Sequence, residues 1–334
     1  MAEPPEKPTG PVGRLWPWAV IALSLLGLLW LNLDRRSGER EFPRRAITIL
    51  CPYSAGGGTD LLSRKVAQEA EKRLDVSVLV SNVTGGGGAV GHAAGRIAPP
   101  DGHTVLMTVF ELLSLPEQGL VPFTHEDFDL LLLLNRDPAA LAVRADHPAE
   151  SLEEFIALAR EGDPPLIANT GAGSSFHLSA ALFCQRADLP ATHVPQSGAA
   201  GAVTALLGGH VDAAVASPAE MKTYADSGQL RLLGVMSGER IAGFEDVPTM
   251  REQGVDAVFG TWRGLALPKG VPEEARSVLL ETFRAVIESE AMREFAAQSG
   301  MNLDVRGPEA FREMVEAQSA DVAETMEQLG LRRQ

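Results

Sequence analysis

The stretch AITILCPYSAGGGTDLLSRKVAQEAEKRL, Ala46–Leu74, decides the fold. It opens with a short apolar and β-branched run, Ala46–Cys51, and continues through a turn, Pro52–Thr59, that contains three consecutive glycines. Apolar residues then recur every four positions, which is the spacing of one helix face: Leu62, Val66, Ala70 and Leu74. The order predicts a strand, a glycine loop and a helix, with Thr59 as the helix cap.

The following segment repeats this arrangement. Val76–Val80 predicts a strand, Thr84–Gly88 predicts a glycine loop, and Pro99 ends the short helix after it. A turn at Asp101–Gly102 leads into a strand at Thr104–Val109. Strands that alternate with helices predict an α/β fold with a largely parallel sheet.

A second series of strands and helices follows the apolar segment Leu130–Val143, which we interpret as a strand that leaves one lobe for another. Two helices in this series begin with capping boxes, one at Ser151 with Glu154 and one at Ser217 with Glu220. Strands are predicted at Leu166–Asn169, Val211–Ala216 and Leu230–Met236.

The chain then returns to the first lobe along the apolar segment Ala257–Leu267, and the last two helices have room to pack back on that lobe. We therefore expect an N-terminal segment at 1–45, a first lobe at 46–140, a second lobe at 141–261 and a return at 262–334. A chain that crosses between the lobes twice is expected to form a hinge at these crossings. The cleft between the lobes lies at the carboxyl ends of the strands, where open α/β sheets bind ligands.

The composition is that of a globular chain with room for two lobes: 334 residues, 45% hydrophobic, 22% charged and 5% aromatic. A formal charge of −15 repels nucleic acid and anionic lipid. Any anionic ligand must therefore be bound by local backbone dipoles. We interpret Cys51 and Cys184 as buried core residues, and no histidine spacing is typical of a metal site.

The N-terminal stretch Leu15–Leu33 carries no charge and is about one bilayer crossing long. It predicts an uncleaved membrane anchor, because no A-x-A-like cleavage site follows it, and a long signal peptide is the alternative. Five arginines between Arg35 and Arg45 outnumber Lys7 and Arg14 before the stretch. The positive-inside rule taken alone would place the globular part in the cytoplasm.

The second glycine loop also allows an enzymatic interpretation. Gly86, Gly88 and Gly91 match G-x-G-x-x-G after a strand, and Glu111 follows the next strand at the distance of a ribose-binding carboxylate. A nicotinamide-dependent oxidoreductase is therefore an alternative. Glycine backbone can approach any anion, however, and a dinucleotide-binding domain has no role for the first glycine loop, Gly56–Gly58.

Other polar residues indicate binding rather than catalysis. Ser174, Ser175 and His177 lack the G-x-S-x-G elbow of a hydrolase, and we interpret them as helix caps or ligand donors. Arg263, beside Trp262 in the return segment, predicts either a buried partner for a carboxylate or a salt bridge at the hinge.

Seven stretches along the globular part resemble the Bug-type receptors, the TctC-like binding components of tripartite tricarboxylate transporters. They are CPYSAGGGTD (Cys51–Asp60), SNVTGGGGAVG (Ser81–Gly91), PPDGHTVLM (Pro99–Met107), TGAGSSFHLSA (Thr170–Ala180), HVPQSGAAGAVTALLGGHVDAAV (His193–Val215), VPTMREQG (Val247–Gly254) and GTWRGLALPKGVP (Gly260–Pro272). The resemblance extends from about Ala46 to the C-terminal helices.

This resemblance implies a type-II periplasmic-binding-protein fold, an α/β fold of two lobes joined by a double-crossing hinge, without catalysis and without a cofactor. It implies a small mono-, di- or tricarboxylate as ligand and the membrane permease subunits of a tripartite tricarboxylate transporter, or less often a sensor protein, as partner. Nucleic acid is not an expected partner. Because such receptors are exported, we expect a periplasmic or extracytoplasmic protein, anchored by 15–33 or released by signal cleavage, despite the arginine count.

Carried over by position, the resemblance also implies that four loops hold the ligand. Their residues are Tyr53, Ser54, Gly57, Gly58, Thr59, Asp60, Gly86, Gly87, Gly88, Gly173, Ser174, Ser175, His177, Gln196, Ser197, Gly198 and Ala199. The chain departs from the family at Gln196, where an aromatic residue is usual. A degenerate sensory or interaction module, whose cleft no longer binds a ligand, is the remaining alternative.

Overall fold

The computed structural model describes Met1, Ile21, Ser24, Leu25, 42–328 and 330–332. Residues Met1–Arg44 and Arg45–Gln334 form two separate units. Apart from Ile21, Ser24 and Leu25, which are helical and exposed, the predicted anchor at 15–33 lies outside the described residues. Within the described part of the chain, no helix has both the length and the apolar character needed to cross a membrane.

Strands and helices alternate through the second unit. The strands are β1 (Ile47–Cys51), β2 (Val78–Asn82), β3 (Thr104–Val109), β4 (Phe128–Pro138), β5 (Ala140–Arg144), β6 (Leu166–Thr170), β7 (Thr192–Gln196), β8 (Ala213–Ala216), β9 (Leu230–Val235), β10 (Gly260–Pro268) and β11 (Leu303–Arg306). The helices are α1 (Gly58–Leu74), α2 (Ala89–Arg96), α3 (Glu111–Glu117), α4 (Leu152–Glu161), α5 (Ser175–Arg186), α6 (Ala199–Leu207), α7 (Pro218–Asp226), α8 (Glu273–Ile287), α9 (Glu290–Ser299) and α10 (Pro308–Gln328).

The strands form two sheets. The first has the order β11-β4-β10-β3-β1-β2 and the second the order β7-β6-β8-β5-β9. In the first sheet β1 pairs in parallel with β2 and β3, and β10 runs antiparallel between β3 and β4. In the second, β6 pairs in parallel with β7 and β8, and β5 is antiparallel to β8 and β9. This confirms the predicted pair of α/β lobes.

The chain changes sheet at Ala139, between β4 and β5, and again before β10. Three backbone hydrogen bonds join these two crossings to the end of β9: Ala139 N donates to Phe259 O (3.0 Å), Phe259 N to Met236 O (3.0 Å) and Met236 N to Ala139 O (2.7 Å). We propose that the lobes divide at these crossings, beside the boundaries expected after residues 140 and 261.

Each lobe has its own buried apolar core, as the strand and helix patterns predict. In the first lobe Trp262 and Phe311 meet edge to face with ring centroids 5.4 Å apart, so β10 and α10 pack together. The C-terminal helices α8 and α10 contact α1, α3 and β4. Their assignment to the first lobe stays a prediction, which these contacts support. Cys51 and Cys184 are both buried and free, as expected of core residues.

Several local predictions are wrong in detail. Thr59 does not cap α1, because the helix begins at Gly58 with Gly57 as its N-cap, two residues earlier than predicted. The segment Leu130–Val143 is divided between β4 and β5, which belong to different sheets. Of the predicted loop Gln196–Ala200, Ser197 and Gly198 lie between β7 and α6, whereas its ends belong to these elements. The sequence does not predict α3, α9 or β11.

Both predicted helix caps are present, but only one is a complete capping box. Ser217 accepts from Glu220 N (3.4 Å), and the Glu220 carboxylate accepts from Ser217 N (3.3 Å). Ser151 also accepts from Glu154 N (3.2 Å), whereas the Glu154 carboxylate accepts from Glu150 N (2.7 Å) instead of from Ser151 N.

Candidate ligand cleft

The first glycine loop follows β1 and is organised by Asp60, which is 1% exposed at the start of α1. The Asp60 carboxylate accepts from Gly56 N (2.9 Å), Arg64 Nε (2.9 Å) and Asn82 Nδ2 (2.8 Å). Burial raises the pKa of Asp60, but these hydrogen bonds outweigh burial and hold the pKa below its ordinary value. The carboxylate therefore joins the loop, the helix and the end of β2.

The second glycine loop follows β2. Gly85, Gly86, Gly87 and Gly88 all have positive φ, between +57° and +134°. A Cβ atom at Gly87 would have no other atom within 4 Å, so this part of the loop is open. Tyr53 Oη donates to Gly87 O (3.3 Å), which brings the first and second loops together at one edge of the sheet.

The first-lobe residues of the predicted site thus lie together. Ser54 and Gly57 are exposed in the first loop, whereas Thr59 is buried and accepts a hydrogen bond from Arg263 Nε (3.0 Å). The Thr59 hydroxyl is therefore bonded to Arg263, and a ligand contact from Thr59 stays a prediction. Gly58 is half-buried, and a Cβ there would lie 3.3 Å from Arg263 Nη2.

The third loop precedes α5 in the second lobe. Ser174 caps this helix, because its Oγ accepts from His177 N (3.3 Å). Gly173 N donates to His177 Nδ1 (2.9 Å), so the His177 ring stabilises the loop through a hydrogen bond to its backbone. Burial, together with the neighbouring His193 ring, lowers the pKa of His177 to about 4, and the imidazole is therefore neutral at pH 7.

The fourth predicted loop, Gln196–Ala199, ends β7 and starts α6, with Gly198 as the N-cap. Gln196 lines an open groove of about 530 Å³ in the second lobe together with residues of α6 and the turn after it. The groove residues are Gln196, Ala200, Gly201, Thr204, Ala205, Gly208 and His210. A ligand contact from this loop stays a prediction.

The two lobes meet through Glu111 and Ser175. Glu111 begins α3 of the first lobe and is 5% exposed, and its Oε1 accepts from Ser175 N (3.1 Å) and Ser175 Oγ (3.3 Å). This contact argues against a ribose-binding role for Glu111. The G-x-G-x-x-G stretch also follows the edge strand β2 and not a strand at a topological switch point, which disfavours a nicotinamide site.

A buried ion pair lies beside the crossings. Arg263 on β10 donates from Nη1 to Asp137 Oδ2 on β4 (2.6 Å), and both side chains are at most 6% exposed. Burial lowers the pKa of Arg263, but Asp137 and Glu220 outweigh burial and hold the pKa above its ordinary value. Of the two interpretations of Arg263, the geometry favours the salt bridge at the hinge.

Sequence reasoning missed three acidic residues of the cleft. The sequence pattern favours a ribose contact for Glu111, a helix cap for Glu220 and a mere interruption of an apolar segment for Asp137. For Glu111 and Asp137 the available signal is a carboxylate close to the end of a buried strand, because such a position is close to the ligand edge of an α/β sheet.

A sequence profile described as "Tripartite tricarboxylate transporter family receptor", TctC, matches residues 62–331. One relative, the UPF0065 protein in the gbd 5' region of Cupriavidus necator, is 30% identical over 285 residues, which cover 85% of this chain and 87% of the relative.

Solved structures agree with the profile. The chain is similar to a TctC solute-binding protein from Polaromonas without ligand, with 39% identity, a TM-score of 0.72 and coverage of 86% and 99%. It is similar to MatC from Rhodopseudomonas palustris with bound malate, with 25% identity and a TM-score of 0.77 over 85% of this chain and 99% of MatC. It is also similar to an R. palustris protein with adipate, with 26% identity and a TM-score of 0.80 over 87% of this chain and 99% of that protein.

These likenesses confirm the predicted periplasmic-binding-protein fold. The profile covers most of the globular part, and the relative is matched over more than two thirds of both chains. The chain therefore belongs to the TctC family, the receptors of tripartite tricarboxylate transporters.

Proposed function

We propose that this chain is an extracytoplasmic solute-binding protein that captures a small carboxylate between its two lobes and performs no chemistry on it. The observation that carries the proposal is the meeting of two glycine loops at the carboxyl ends of β1 and β2, joined by Tyr53 and Gly87. Consecutive positive-φ glycines leave their backbone open to an anion, because no Cβ atom blocks its approach.

The charge distribution supports binding by backbone groups. Arg263 is the one lysine or arginine that is buried within 42–328 and 330–332, and it is already bonded to Asp137 and Thr59. A ligand carboxylate would therefore depend on amide donors and on the helix start beside the first loop.

The family and its solved members support the ligand class. MatC was solved with malate and a second R. palustris protein with adipate, and both ligands are small carboxylates. We infer that this chain binds a ligand of the same broad class. The permease subunits of a tripartite tricarboxylate transporter are the partner that the family implies, and the receptor would meet its ligand outside the cytoplasm.

A thermal-shift screen of the full-length chain tests the proposal. Malate, adipate, hexanoate and 3-hydroxybutyrate sample the mono- and dicarboxylates, and NADH tests the oxidoreductase alternative. We expect at least one carboxylate to raise the midpoint of unfolding and NADH to leave it unchanged. A chain stabilised by NADH alone would be a nucleotide-binding protein. A chain that responds to no small carboxylate would fit the degenerate module.

A further inference from the structure

The carboxylate of Glu111 lies between the two lobes. Its Oε1 accepts from both Ser175 N (3.1 Å) and Ser175 Oγ (3.3 Å), and the two residues are 64 positions apart in the chain. Glu111 is buried at the start of α3, and Ser175 is the first residue of α5. A first-lobe side chain thus places its negative charge on a helix N-terminus of the second lobe.

The same carboxylate lies beside the first glycine loop. Burial raises the pKa of Tyr53 well above its ordinary value, and the charge and hydrogen bonding of Glu111 raise it further. Tyr53 in turn donates to the second loop at Gly87 O (3.3 Å). Glu111 therefore stands where the predicted ligand loops of both lobes meet.

Within 42–328 and 330–332, Arg263 is the one buried lysine or arginine, and it is already bonded to Asp137 and Thr59. Burial lowers the pKa of the Arg263 guanidinium, whereas the charges of Asp137, Glu220 and Glu111 all raise this pKa. Arg263 is bonded to Asp137 at 2.6 Å. Because burial keeps His177 neutral at pH 7, it adds no positive charge at the α5 end of the cleft.

A helix N-terminus favours one anion at its exposed amide groups. At α5 that anion is Glu111, since its oxygen already accepts from the first amide of the helix. A ligand carboxylate at the same end of the cleft would face the like charge of Glu111 in a buried, low-dielectric setting, where the buried cation Arg263 is already paired with Asp137. Such an arrangement is strongly unfavourable.

We propose that Glu111 is a specificity-determining residue that takes the place of one ligand carboxylate, so that the cleft binds monocarboxylates whose other end is neutral or cationic and rejects dicarboxylates. This inference rests on the proposed function. In this arrangement the glycine loops of the first lobe bind the single carboxylate of the ligand. The part of the cleft next to Glu111 and Ser175 then contacts a hydrogen-bond donor or an apolar group of the ligand.

Titration calorimetry of the full-length chain with matched ligands tests this assignment. Adipate is compared with hexanoate and 6-aminohexanoate, and malate with 3-hydroxybutyrate, because each comparison changes only one terminal group. We expect the wild type to prefer the monocarboxylate by more than about tenfold. Glu111→Gln keeps the size and the acceptor oxygen but removes the charge, and it is expected to gain affinity for the dicarboxylate by a similar factor.

Glu71→Gln is the matched control, since Glu71 is exposed on α1 and its loss changes the net charge equally. This variant should keep the wild-type preference. A wild type that binds adipate or malate at least as tightly as the matched monocarboxylate would overturn the assignment, and this comparison needs no variant. An unchanged ratio in a folded Glu111→Gln protein would also overturn it. Failure of every ligand to bind wild type and variants would overturn the proposed function as well.

Discussion

At the scale of single residues, Asp60 joins the first glycine loop to the protein. Its carboxylate accepts three hydrogen bonds, so Asp60→Ala leaves Gly56 N and Asn82 Nδ2 without this partner. We expect a loss of about 1–3 kcal/mol in the free energy of unfolding, together with weaker carboxylate binding, because the loop loses its position.

Glu69→Ala is the control for this prediction. Glu69 is also buried on α1, where it pairs with Lys65 and Lys72. It should lower stability without changing ligand affinity, as urea unfolding and calorimetry would show. Unchanged affinity in Asp60→Ala would refute the role assigned to this residue.

His92 predicts how stability depends on pH. Burial lowers the pKa of His92 from 6.5 to about 4 in the folded protein. Between these values the unfolded chain binds a proton that the folded protein does not, so stability is fully present above pH 6.5 and declines toward pH 4. The contribution of His92 to this decline is on the order of 3 kcal/mol.

His92→Asn should be less stable at pH 7, but its free energy of unfolding should fall less steeply as the pH is lowered, because the titrating imidazole is gone. Asn can replace the ring nitrogen that contacts Gly88 O (2.9 Å). Urea unfolding at several pH values between 7 and 4.5 measures this. The exposed residue His210 provides a control, His210→Asn, which should keep the wild-type slope. Equal slopes for His92→Asn and wild type would contradict the prediction.

At the scale of elements, the open glycine loop after β2 predicts the effect of Gly87→Val. The valine side chain enters the space in which a ligand carboxylate would lie, and φ of +64° strains the backbone. Loss of one or two charge-assisted hydrogen bonds, each about 1.5–3 kcal/mol, would weaken binding by roughly tenfold to about twenty-thousandfold.

Gly228→Val is the control that distinguishes backbone strain from blockage of the ligand site. Gly228 has a similar φ of +70° and open surroundings, but it lies after α7, outside the predicted ligand loops. We expect both variants to lose similar stability and only Gly87→Val to lose affinity in calorimetry. Equal affinities for the two variants would show that the second loop does not contact the ligand.

The ion pair between β4 and β10 predicts a large stability effect. Arg263→Met leaves Asp137 buried without its cation, which costs about 3–5 kcal/mol. The double variant Arg263→Met with Asp137→Asn should recover part of this loss, because burying a neutral amide costs less free energy than burying an unpaired carboxylate. Urea unfolding of both variants gives the comparison, and a loss below about 1 kcal/mol in Arg263→Met would contradict the buried setting.

At the scale of the whole molecule, the two crossings allow the lobes to close on a ligand. Glu111 with Ser175, and Gln118 with Gly173, already contact each other across the cleft. The two lobes therefore already touch on the cleft side in this structure. We predict that the full-length chain has a smaller radius of gyration in small-angle scattering when it is saturated with a stabilising carboxylate than when it is free.

Hydrogen exchange distinguishes the two lobes in the same experiment. Amides of Gly85–Gly88 and of the segment Gly173–His177 should gain protection on binding. Protection confined to the first-lobe loops would remove Ser174, Ser175 and His177 from the ligand site. An unchanged radius of gyration at saturation would argue for a rigid cleft.

The sequence by itself determined the elements whose signals are local. The run Ala46–Cys51, the glycines after it and the four-residue apolar spacing predicted β1, its loop and α1, because strand propensity, positive φ and helix periodicity act over a few residues. For the same reason the sequence correctly predicts the two helix caps at Ser151 and Ser217.

Tertiary structure decided what depends on distant partners. Glu111 reaches Ser175 across 64 residues, and Arg263 reaches Asp137 across 126, so neither pairing has a local signal. The sequence also does not show that Leu130–Val143 is divided into β4 and β5. Both halves are apolar, and they differ only in the sheet to which they belong. Such contacts arise when the lobes are assembled, and their free energy depends on burial and charge in the folded protein.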